Sequence, residues 1–320
     1  MPLMFDMPLE KLRKYMGSNP KPNDFDSFWD NNIKELDKID PNIEIIPSAF
    51  QTSFANCSDL YFTSTQEARI HAKLIQPKNI NSSTPAIIMF HGYTANSGDW
   101  TEQIAFAAEG FTVAILDCRG QGGLSQDVGG TIGSTMRGHI VRGIDGPPNN
   151  MLFKQIFLDC ALLTRIIMDM PKVDANRIAV TGGSQGGGLS LACASLVPEI
   201  NLVAPVFPFL SDYKRVWQID QAKDAYFEIQ DYFRKFDPLH LNEDQIFNKL
   251  GYIDIQHLVP RIKGSVMMAT ALMDTICPPS TQFATYNKIS STKEHILYPD
   301  FGHEKLPGHS DRIFKFLSYL

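Results

Sequence analysis

One glycine-rich turn constrains the fold of this chain more than any other stretch of its sequence. The apolar run Ile178-Ala179-Val180-Thr181 leads directly into Gly182-Gly183-Ser184-Gln185-Gly186, and the apolar helical segment 189–196 follows. A strand, a tight turn and a helix in this order present the central turn residue at the edge of a sheet, and the glycines let strand and helix approach without a Cβ clash. The pattern predicts that Ser184 projects from this turn as a nucleophile.

From residue 85 onward, short apolar runs alternate with amphipathic segments. Continuous apolar runs are typical of parallel strands that helices cover on both faces. One intervening segment repeats apolar residues every three to four positions, which predicts a helix with a core-facing stripe. We therefore expect an α/β protein with a mostly parallel central sheet. The candidate strands are Ala86–Phe90, Phe111–Leu116, Ile178–Thr181, Leu202–Val206, Val266–Thr270 and His295–Tyr298, and the stripe is Leu152, Ile156, Cys160, Leu163 and Ile167.

The N-terminal 40 residues differ from the rest of the chain. Residues 9–16 and 24–38 have helical patterns, and the glycine and prolines of segment 17–22 separate them. We interpret residues 1–40 as a helical arm. Three β-branched or alternating runs follow and predict antiparallel strands at one edge of the sheet. These runs are Ile43–Ile46, Leu60–Ser64 and Arg69–Ile75.

Two longer stretches interrupt the alternation of strands and helices. Residues 120–148 are rich in glycine, and residues 211–250 are polar, aromatic and helical in pattern. Insertions of this kind usually lie over an active site or at a subunit contact. We expect 1–320 to be a single decorated domain with a helical insertion at 211–250.

Composition narrows the classes of function. A net charge of −6 provides no positive field for nucleic acid, and no apolar stretch is long enough to span a membrane. Residues 1–10 lack the pattern of a signal peptide because Asp6 and Glu10 interrupt it, so we expect a cytoplasmic protein. The five cysteines are odd in number and scattered, which predicts reduced, mostly buried thiols. No metal or cofactor site is expected.

The general base and its acid are sought after Ser184, because the order serine, acid, histidine accompanies this kind of turn. His303 lies in a loop between the last candidate strand and a terminal helix, and Asp274 lies in the loop after Val266–Thr270. Asp300 and Glu304 are rival acids, but each is too close to His303 in sequence to reach its far ring nitrogen easily. The other histidines after Ser184 are interpreted as structural or surface residues: His240, His257, His295 and His309.

Backbone amides are the candidate donors for an oxyanion hole. Gln185 begins the helix after the nucleophile, so its amide points toward the oxygen that becomes negative. A second donor is expected from the loop after Ala86–Phe90, and we assign it to the amide of Tyr93. His91, in the same loop, precedes the nucleophile and is expected to pack or hydrogen-bond there. Cys277, close to Asp274, is interpreted as an apolar filler rather than a redox switch.

Three signatures occur together in this sequence: Arg119-Gly120-Gln121, Gly182-Gly183-Ser184-Gln185-Gly186 and His303-Glu304. In combination they resemble the acetyl xylan esterase and cephalosporin C deacetylase family of carbohydrate esterases, which has the α/β-hydrolase fold. The resemblance extends over nearly the whole chain, through Asp26–Trp29, Pro208–Tyr213 and Asp254–Leu258.

The resemblance implies the same site that the residues predict. Its triad is Ser184, Asp274 and His303, and its oxyanion hole uses the Tyr93 and Gln185 amides. Arg119 and Gln121 would organise the surrounding loops, with Glu304 as further support. The implied substrates are acetylated xylooligosaccharides, other acetyl sugars and cephalosporin C, without a cofactor. The implied assembly is a homohexamer.

Two other functions stay open on the sequence alone. A serine peptidase or thioesterase can use the same triad, because the triad does not determine the leaving group. A hydrolase-fold protein without activity could serve as a binding protein, although such proteins usually lack a triad member and all three candidates are present here.

Overall fold

The computed structural model describes residues 5–78, 82–127 and 137–320. Within these residues, nine strands form one sheet in the order β1-β2-β3-β5-β4-β6-β7-β8-β9. The strands are β1 Glu44–Pro47, β2 Ala55–Thr63, β3 Arg69–Pro77, β4 Thr84–Phe90, β5 Thr112–Leu116, β6 Val173–Gly183, β7 Leu202–Val206, β8 Ser265–Ala271 and β9 Lys293–Tyr298.

The direction of the strands divides the sheet into two parts. The first three strands pair antiparallel with their neighbours and form one edge. Strands β4 to β9 pair parallel, as the continuous apolar runs predict. The predicted α/β class with a mostly parallel sheet is confirmed.

Two strands begin well before their predicted positions: β2 begins at Ala55 rather than at Leu60, and β6 begins at Val173 rather than at Ile178. The missed half of β2 contains Asn56, Ser58 and Asp59, whose polar side chains hide the strand pattern.

Helices and irregular loops make up the remainder of the described chain. The α-helices are α1 Leu9–Leu12, α2 Phe25–Leu36, α3 Trp100–Ala108, α4 Leu152–Met168, α5 Gln185–Leu196, α6 Tyr213–Gln218, α7 Phe227–Phe236, α8 Glu243–Leu250, α9 Ile255–Leu258, α10 Pro279–Lys288 and α11 His309–Leu317. Short 3-10 helices cover Thr65–Glu67, Pro148–Asn150, Asp224–Tyr226, Gly251–Ile253 and Val259–Arg261. Among the described residues, no helix has the length and apolar character needed to cross a lipid bilayer.

Successive side chains of the central strands enter two hydrophobic clusters, because side chains alternate across a sheet. Ile87 packs in the cluster that contains Phe106 of α3 and Leu317 of α11. Its neighbour Ile88 packs in the larger cluster, which contains Phe157 of α4. Both faces of the sheet are therefore covered by helices, which explains why these strands are apolar throughout.

The N-terminal arm packs against the rest of the protein through specific contacts. Trp29 of α2 is fully buried, stacks on Phe157 of α4 and donates its indole N–H to the Tyr252 carbonyl at 3.0 Å. The Tyr15 hydroxyl donates to Asp212 at 2.8 Å. The first helix was predicted to extend over residues 9–16, but α1 ends at Leu12. Tyr15 therefore lies beyond the helix, where its hydroxyl contacts Asp212.

The stretch 211–250 contains α6, α7 and α8, joined by shorter connecting segments. Apolar residues on these helices pack on each other, including Val216, Phe233 and Phe247. The segment before α7 and the start of α7 reach the cavity that contains Ser184. The insertion therefore lies beside the candidate site. The glycine-rich stretch 120–148 falls partly outside the described residues.

Candidate active site

Ser184 lies on a sharp turn between β6 and α5. Its backbone has φ 57° and ψ −119°, a combination that costs an L-residue energy and is found mainly where surrounding structure fixes it. The Ser184 N–H donates to the Val206 carbonyl at 3.0 Å, and the Phe209 N–H donates to the Ser184 carbonyl at 3.0 Å. The end of β7 thus holds the turn in its strained form.

Two glycines of the turn make this close packing possible. A Cβ on Gly186 would lie 2.0 Å from the Phe90 carbonyl oxygen, and a Cβ on Gly182 would lie 2.5 Å from the same atom. Any side chain at either position would force β4 and α5 apart. The two glycines of the Gly-x-Ser-x-Gly pattern are therefore required by the packing of this turn.

His303 and Asp274 lie in the loops after β9 and β8, and the fold brings them together. The Nδ1 atom of His303 is 2.8 Å from Oδ2 of Asp274. Asp274 is fully buried, whereas the His303 side chain is 17 % exposed. The ring of His303 packs on that of Phe207, with centroids 4.5 Å apart. The imidazole is therefore held at Nδ1 and on one ring face.

Four donors orient the Asp274 carboxylate. The amides of Ile276 and Cys277 donate to Oδ1 at 2.9 and 2.8 Å, and the Gln282 side chain donates to Oδ2 at 3.3 Å. With the contact to His303, both oxygens are occupied. A carboxylate with this many donors keeps its orientation.

Cys277 lies closer to the candidate triad than the sequence indicated. Its thiol is fully buried and forms a side-chain contact with Ser184, and burial raises its pKa well above the ordinary range. Among the described residues, Asp274, Cys277 and His303 are the one group whose ligand atoms lie close enough for a metal ion, within 4.8 Å of one another. The Asp274–His303 hydrogen bond accounts for this proximity, and a neutral thiol is a poor ligand.

The rival residues have other partners. Glu304 is exposed and accepts from the Gly302 N–H at 3.1 Å, so it shapes the loop that carries His303 without contacting the ring. Asp300 is exposed in the same loop. His295 is held by the Thr270 hydroxyl at 2.8 Å between two aromatic rings. His309 begins α11 and packs against Tyr298.

Ser184 and His303 line one cavity of about 400 Å³ together with Tyr93. Its other walls come from the loop after β4, the glycine-rich stretch, the insertion and the loop after β8, and they are Gly92, Thr94, Arg137, Asp224, Ala225, Phe227, Glu228 and Ile276. Since β4 and β6 are neighbouring parallel strands, the loops that follow them meet at the same edge of the sheet. Tyr93, in the loop after β4, and Gln185, at the start of α5, therefore flank Ser184.

A pair of glutamine side chains connects these two loops. Gln121 donates through Nε2 to Oε1 of Gln185 at 2.8 Å, and its own Oε1 accepts the Thr94 N–H at 2.9 Å. Both glutamines are fully buried. Sequence reasoning assigned only the backbone amide of Gln185 a role, whereas its side chain also joins the helix start to the loop that contains Tyr93.

His91 holds the loop after β4 through contacts at both of its ring nitrogens. The Cys118 N–H donates to His91 Nε2 at 3.0 Å, so Nδ1 carries the proton and donates to the Gly92 carbonyl at 2.7 Å. Burial lowers the pKa of His91, which keeps the ring neutral. This histidine has a structural contact on each ring nitrogen.

Arg119 forms a buried ion pair and not a surface one. Its guanidinium contacts both oxygens of Asp159 in α4, at 2.6 and 2.5 Å, and also the Thr65 carbonyl at 3.2 Å. Arg119 and Asp159 are both fully buried. The planar guanidinium thus connects the loop after β5 to α4 and to the loop after β2.

A second buried charge cluster braces the loops behind the site. His71 of β3 contacts Asp117 at 2.6 Å and Asp59 at 2.9 Å through its two ring nitrogens. Asp117 also accepts the N–H groups of Ser97 and Leu124, at 2.7 and 2.9 Å. Because Ser97 follows the Tyr93 loop, this carboxylate fixes the far end of that loop.

The cluster changes the titration of its members. Burial alone would lower the pKa of His71, but the two carboxylates raise it. Burial alone would raise the pKa of Asp117, but His71 and the amides of Leu124 and Ser97 lower it to about 2. The stabilisation from His71 is therefore complete below its unfolded pKa of about 6.5 and is lost as the pH rises through the folded value. The stabilisation from Asp117 is present above its unfolded pKa of about 3.9 and is lost as the pH falls toward 2.

We expect His71→Asn to lower the free energy of unfolding by about 3 kcal/mol between about pH 4 and 6.5, because it leaves two carboxylates without their partner. The difference from the wild type should shrink at alkaline pH. Urea denaturation at several pH values measures it. The exposed His240→Asn is a matched control and should change stability by less than about 0.5 kcal/mol. A difference for His71→Asn that stays constant up to pH 9 would contradict this interpretation.

Several of these supporting residues were not found from the sequence. Asp159 offered one signal, since it is a carboxylate within a helix in which most side chains are apolar and buried. Gln282 and His71 offered none, because their partners are distant in sequence or depend on the loop conformation.

Comparisons with known proteins agree with this geometry. Residues 1–320 match the family described as acetyl xylan esterase (AXE1). The crystal structure of acetyl xylan esterase 1 from Thermoanaerobacterium sp. JW/SL YS485 superimposes with a TM-score of 0.95, at 56% sequence identity and 98% coverage of both chains. An acetyl xylan esterase from Paenibacillus sp. R4 superimposes with a TM-score of 0.91, at 36% identity, covering 98% of this chain and 99% of the other.

A curated relative is more distant. The acetyl esterase Axe7A of Xylanibacter ruminicola (strain ATCC 19189 / DSM 19721 / CIP 105475 / JCM 8958 / 23) is 24% identical over 296 residues. The match covers 91% of this chain but 64% of the relative, so the chain spans less than two thirds of that protein's length.

Proposed function

Because this chain belongs to the acetyl xylan esterase family, we propose that it is a serine carboxylesterase that removes acetyl groups from acetylated xylooligosaccharides and other small acetylated sugars. The observation that supports this most directly is the 2.8 Å contact between His303 and Asp274. It lies beside Ser184, which lines the same cavity from a strained turn.

In the first half of the proposed reaction, His303 Nε2 takes the hydroxyl proton of Ser184 as the serine oxygen attacks the acetyl carbonyl. Asp274 holds the protonated Nδ1 and stabilises the imidazolium that forms. The carbonyl oxygen becomes negative and accepts hydrogen bonds from the Tyr93 and Gln185 amides. The carbon–oxygen bond to the sugar then breaks, and His303 returns its proton to the leaving sugar hydroxyl.

In the second half, water repeats the attack on the acetyl-enzyme. His303 removes a proton from the water, the same two amides hold the new oxyanion, and acetate leaves as Ser184 regains its proton. Every proton in this cycle passes through His303, so these steps need no cofactor.

The size of the cavity supports small substrates. A volume of about 400 Å³ lies at the lower end of the range that holds small organic ligands. The insertion limits it through Phe227 and Asp224, and Arg137 also lines it, with its guanidinium over the Phe227 ring at 4.9 Å. We propose that an acetyl group and the sugar that carries it occupy this space, and that the acetyl group of cephalosporin C is also accepted.

A comparison of leaving groups tests the proposed function. The protein is given acetylated xylooligosaccharides, cephalosporin C, an acetyl thioester and an N-blocked peptide amide, and product release is measured for each. We expect rapid acetate release from the sugar esters and no detectable peptide cleavage. Turnover of the peptide or the thioester with none of the sugar esters would assign the protein to the serine peptidases or the thioesterases. Binding of acetyl sugars without turnover would indicate a non-catalytic protein.

A homohexameric assembly and a cytoplasmic location stay predictions. Light scattering of the purified protein and fractionation of cells that express it are the corresponding measurements.

A further inference from the structure

The Tyr93 side chain is held by the helical insertion, although the proposed reaction uses only the Tyr93 backbone. The Tyr93 hydroxyl donates a short hydrogen bond to Glu228 in the first turn of α7. His139 Nδ1 lies 2.9 Å from the same hydroxyl. Burial raises the pKa of Tyr93 far above its ordinary range, so the hydroxyl keeps its proton and remains a donor. The contact joins residues 135 positions apart in the chain.

Glu228 is a buried carboxylate that is surrounded by donors. It is 5 % exposed, and its second oxygen accepts the backbone N–H groups of Ile140 and Val141 at 2.6 and 3.2 Å. Burial raises the pKa of Glu228 to about 7, while the hydrogen bonds from Tyr93 and the two amides oppose that rise. A carboxylate is costly to bury, and in this protein it contacts the loop that carries the candidate oxyanion donor.

The geometry ties the position of the Tyr93 amide to that of its ring. The ring packs near Phe209 and Phe153, with centroids 5.3 and 6.4 Å away, and its hydroxyl is fixed at Glu228. The next amide, that of Thr94, donates to Gln121. Tyr93 is therefore held at its side chain and at the following peptide, which leaves its own N–H little freedom to move. An oxyanion donor is effective only when it is fixed before the charge develops.

We propose that Glu228 is a positioning residue for the oxyanion hole, and that it acts by fixing the Tyr93 hydroxyl and, through the rigid ring, the Tyr93 amide. This inference rests on the proposed function, in which that amide stabilises the tetrahedral intermediate. It assigns the insertion a part in the chemistry in addition to its part in shaping the cavity.

The test compares Glu228→Ala, Tyr93→Phe and the double variant with the wild type, using 4-nitrophenyl acetate and an acetylated sugar. We expect each single variant to lower kcat by about 10- to 100-fold with little change in KM, since a small displacement of a catalytic group costs rate by such factors. Because both substitutions remove the same hydrogen bond, the double variant should be no slower than the slower single variant.

Two further measurements separate positioning from general destabilisation. An alkylboronic acid forms a tetrahedral adduct with a reactive serine, and its affinity should fall by about the same factor as kcat/KM. Tyr93→Phe keeps the ring and should keep the thermal midpoint within a few degrees. Asp231→Asn on the same helix removes only an exposed contact to Lys235 and should leave kcat unchanged within about two-fold.

The inference fails if Glu228→Ala keeps kcat within two-fold of the wild type, if the losses of the two single variants multiply in the double variant, or if KM alone changes. Failure of the proposed function has a different signature. A wild-type protein that turns over 4-nitrophenyl acetate but no acetyl sugar would overturn the proposed substrate and still test Glu228. A wild type that turns over neither would leave the boronic acid affinities of the same proteins to decide the question.

Discussion

Ser184→Ala is expected to lower kcat for acetate release by on the order of 10⁵-fold, with little change in KM. The substitution removes the only atom that forms the covalent bond in the proposed reaction, while the cavity and the oxyanion donors remain. The strained turn should survive, because alanine has the same Cβ as serine and the backbone is held by Val206 and Phe209. Assays with acetylated xylooligosaccharides and with 4-nitrophenyl acetate measure the loss.

Ser195→Ala is the matched control for this prediction. Ser195 lies three turns further along α5, and its hydroxyl donates to the Leu191 carbonyl at 2.7 Å. Its loss should leave kcat within about two-fold of the wild type. If Ser184→Ala retained a tenth of the activity while the control behaved as expected, the nucleophile would have to be another residue.

Asp274→Asn is expected to lower kcat by about 10⁴-fold. The asparagine oxygen can still accept the amides of Ile276 and Cys277, which directs its NH₂ group toward His303. An NH₂ group in that place cannot accept the Nδ1 proton, so the imidazole is driven to the tautomer with hydrogen on Nε2. That tautomer cannot take a proton from Ser184. Steady-state kinetics should show the loss in kcat and a nearly unchanged KM.

The rival acid provides the control. Asp300 is exposed in the loop before His303, and Asp300→Asn should keep kcat within about two-fold. The reverse outcome, a large loss for Asp300→Asn and a small one for Asp274→Asn, would move the acid to Asp300 and contradict the hydrogen bond described above.

The parallel part of the sheet could be predicted because its physics is local. A strand buried on both faces is apolar at every position, as Leu202–Val206 is, and such a run can be recognised without knowing its neighbours. The first half of β2 could not be recognised in this way. Asp59 is tolerated there because its carboxylate contacts His71 on the neighbouring strand.

The same distinction applies to the site. The contact of His303 with Asp274, and the cavity that His303 shares with Ser184, could be anticipated because each of the three residues follows a strand in a fixed order along the chain. Glu228 and Asp159 were not, because what makes each important is a partner far away in sequence, Tyr93 in one case and Arg119 in the other. In the sequence, the only sign of such a contact is an acidic residue within a mostly apolar helical pattern, and this sign does not identify the partner.

The measurement that tests the central claim most directly is covalent labelling with a fluorophosphonate, followed by peptide mass spectrometry. The reagent reacts with a serine that a neighbouring base activates. One adduct per chain on Ser184 is expected, and its formation should be abolished in Ser184→Ala and strongly slowed in Asp274→Asn. Absence of an adduct, or an adduct on a different residue of the wild type, would contradict the assignment of Ser184, His303 and Asp274 as the catalytic triad.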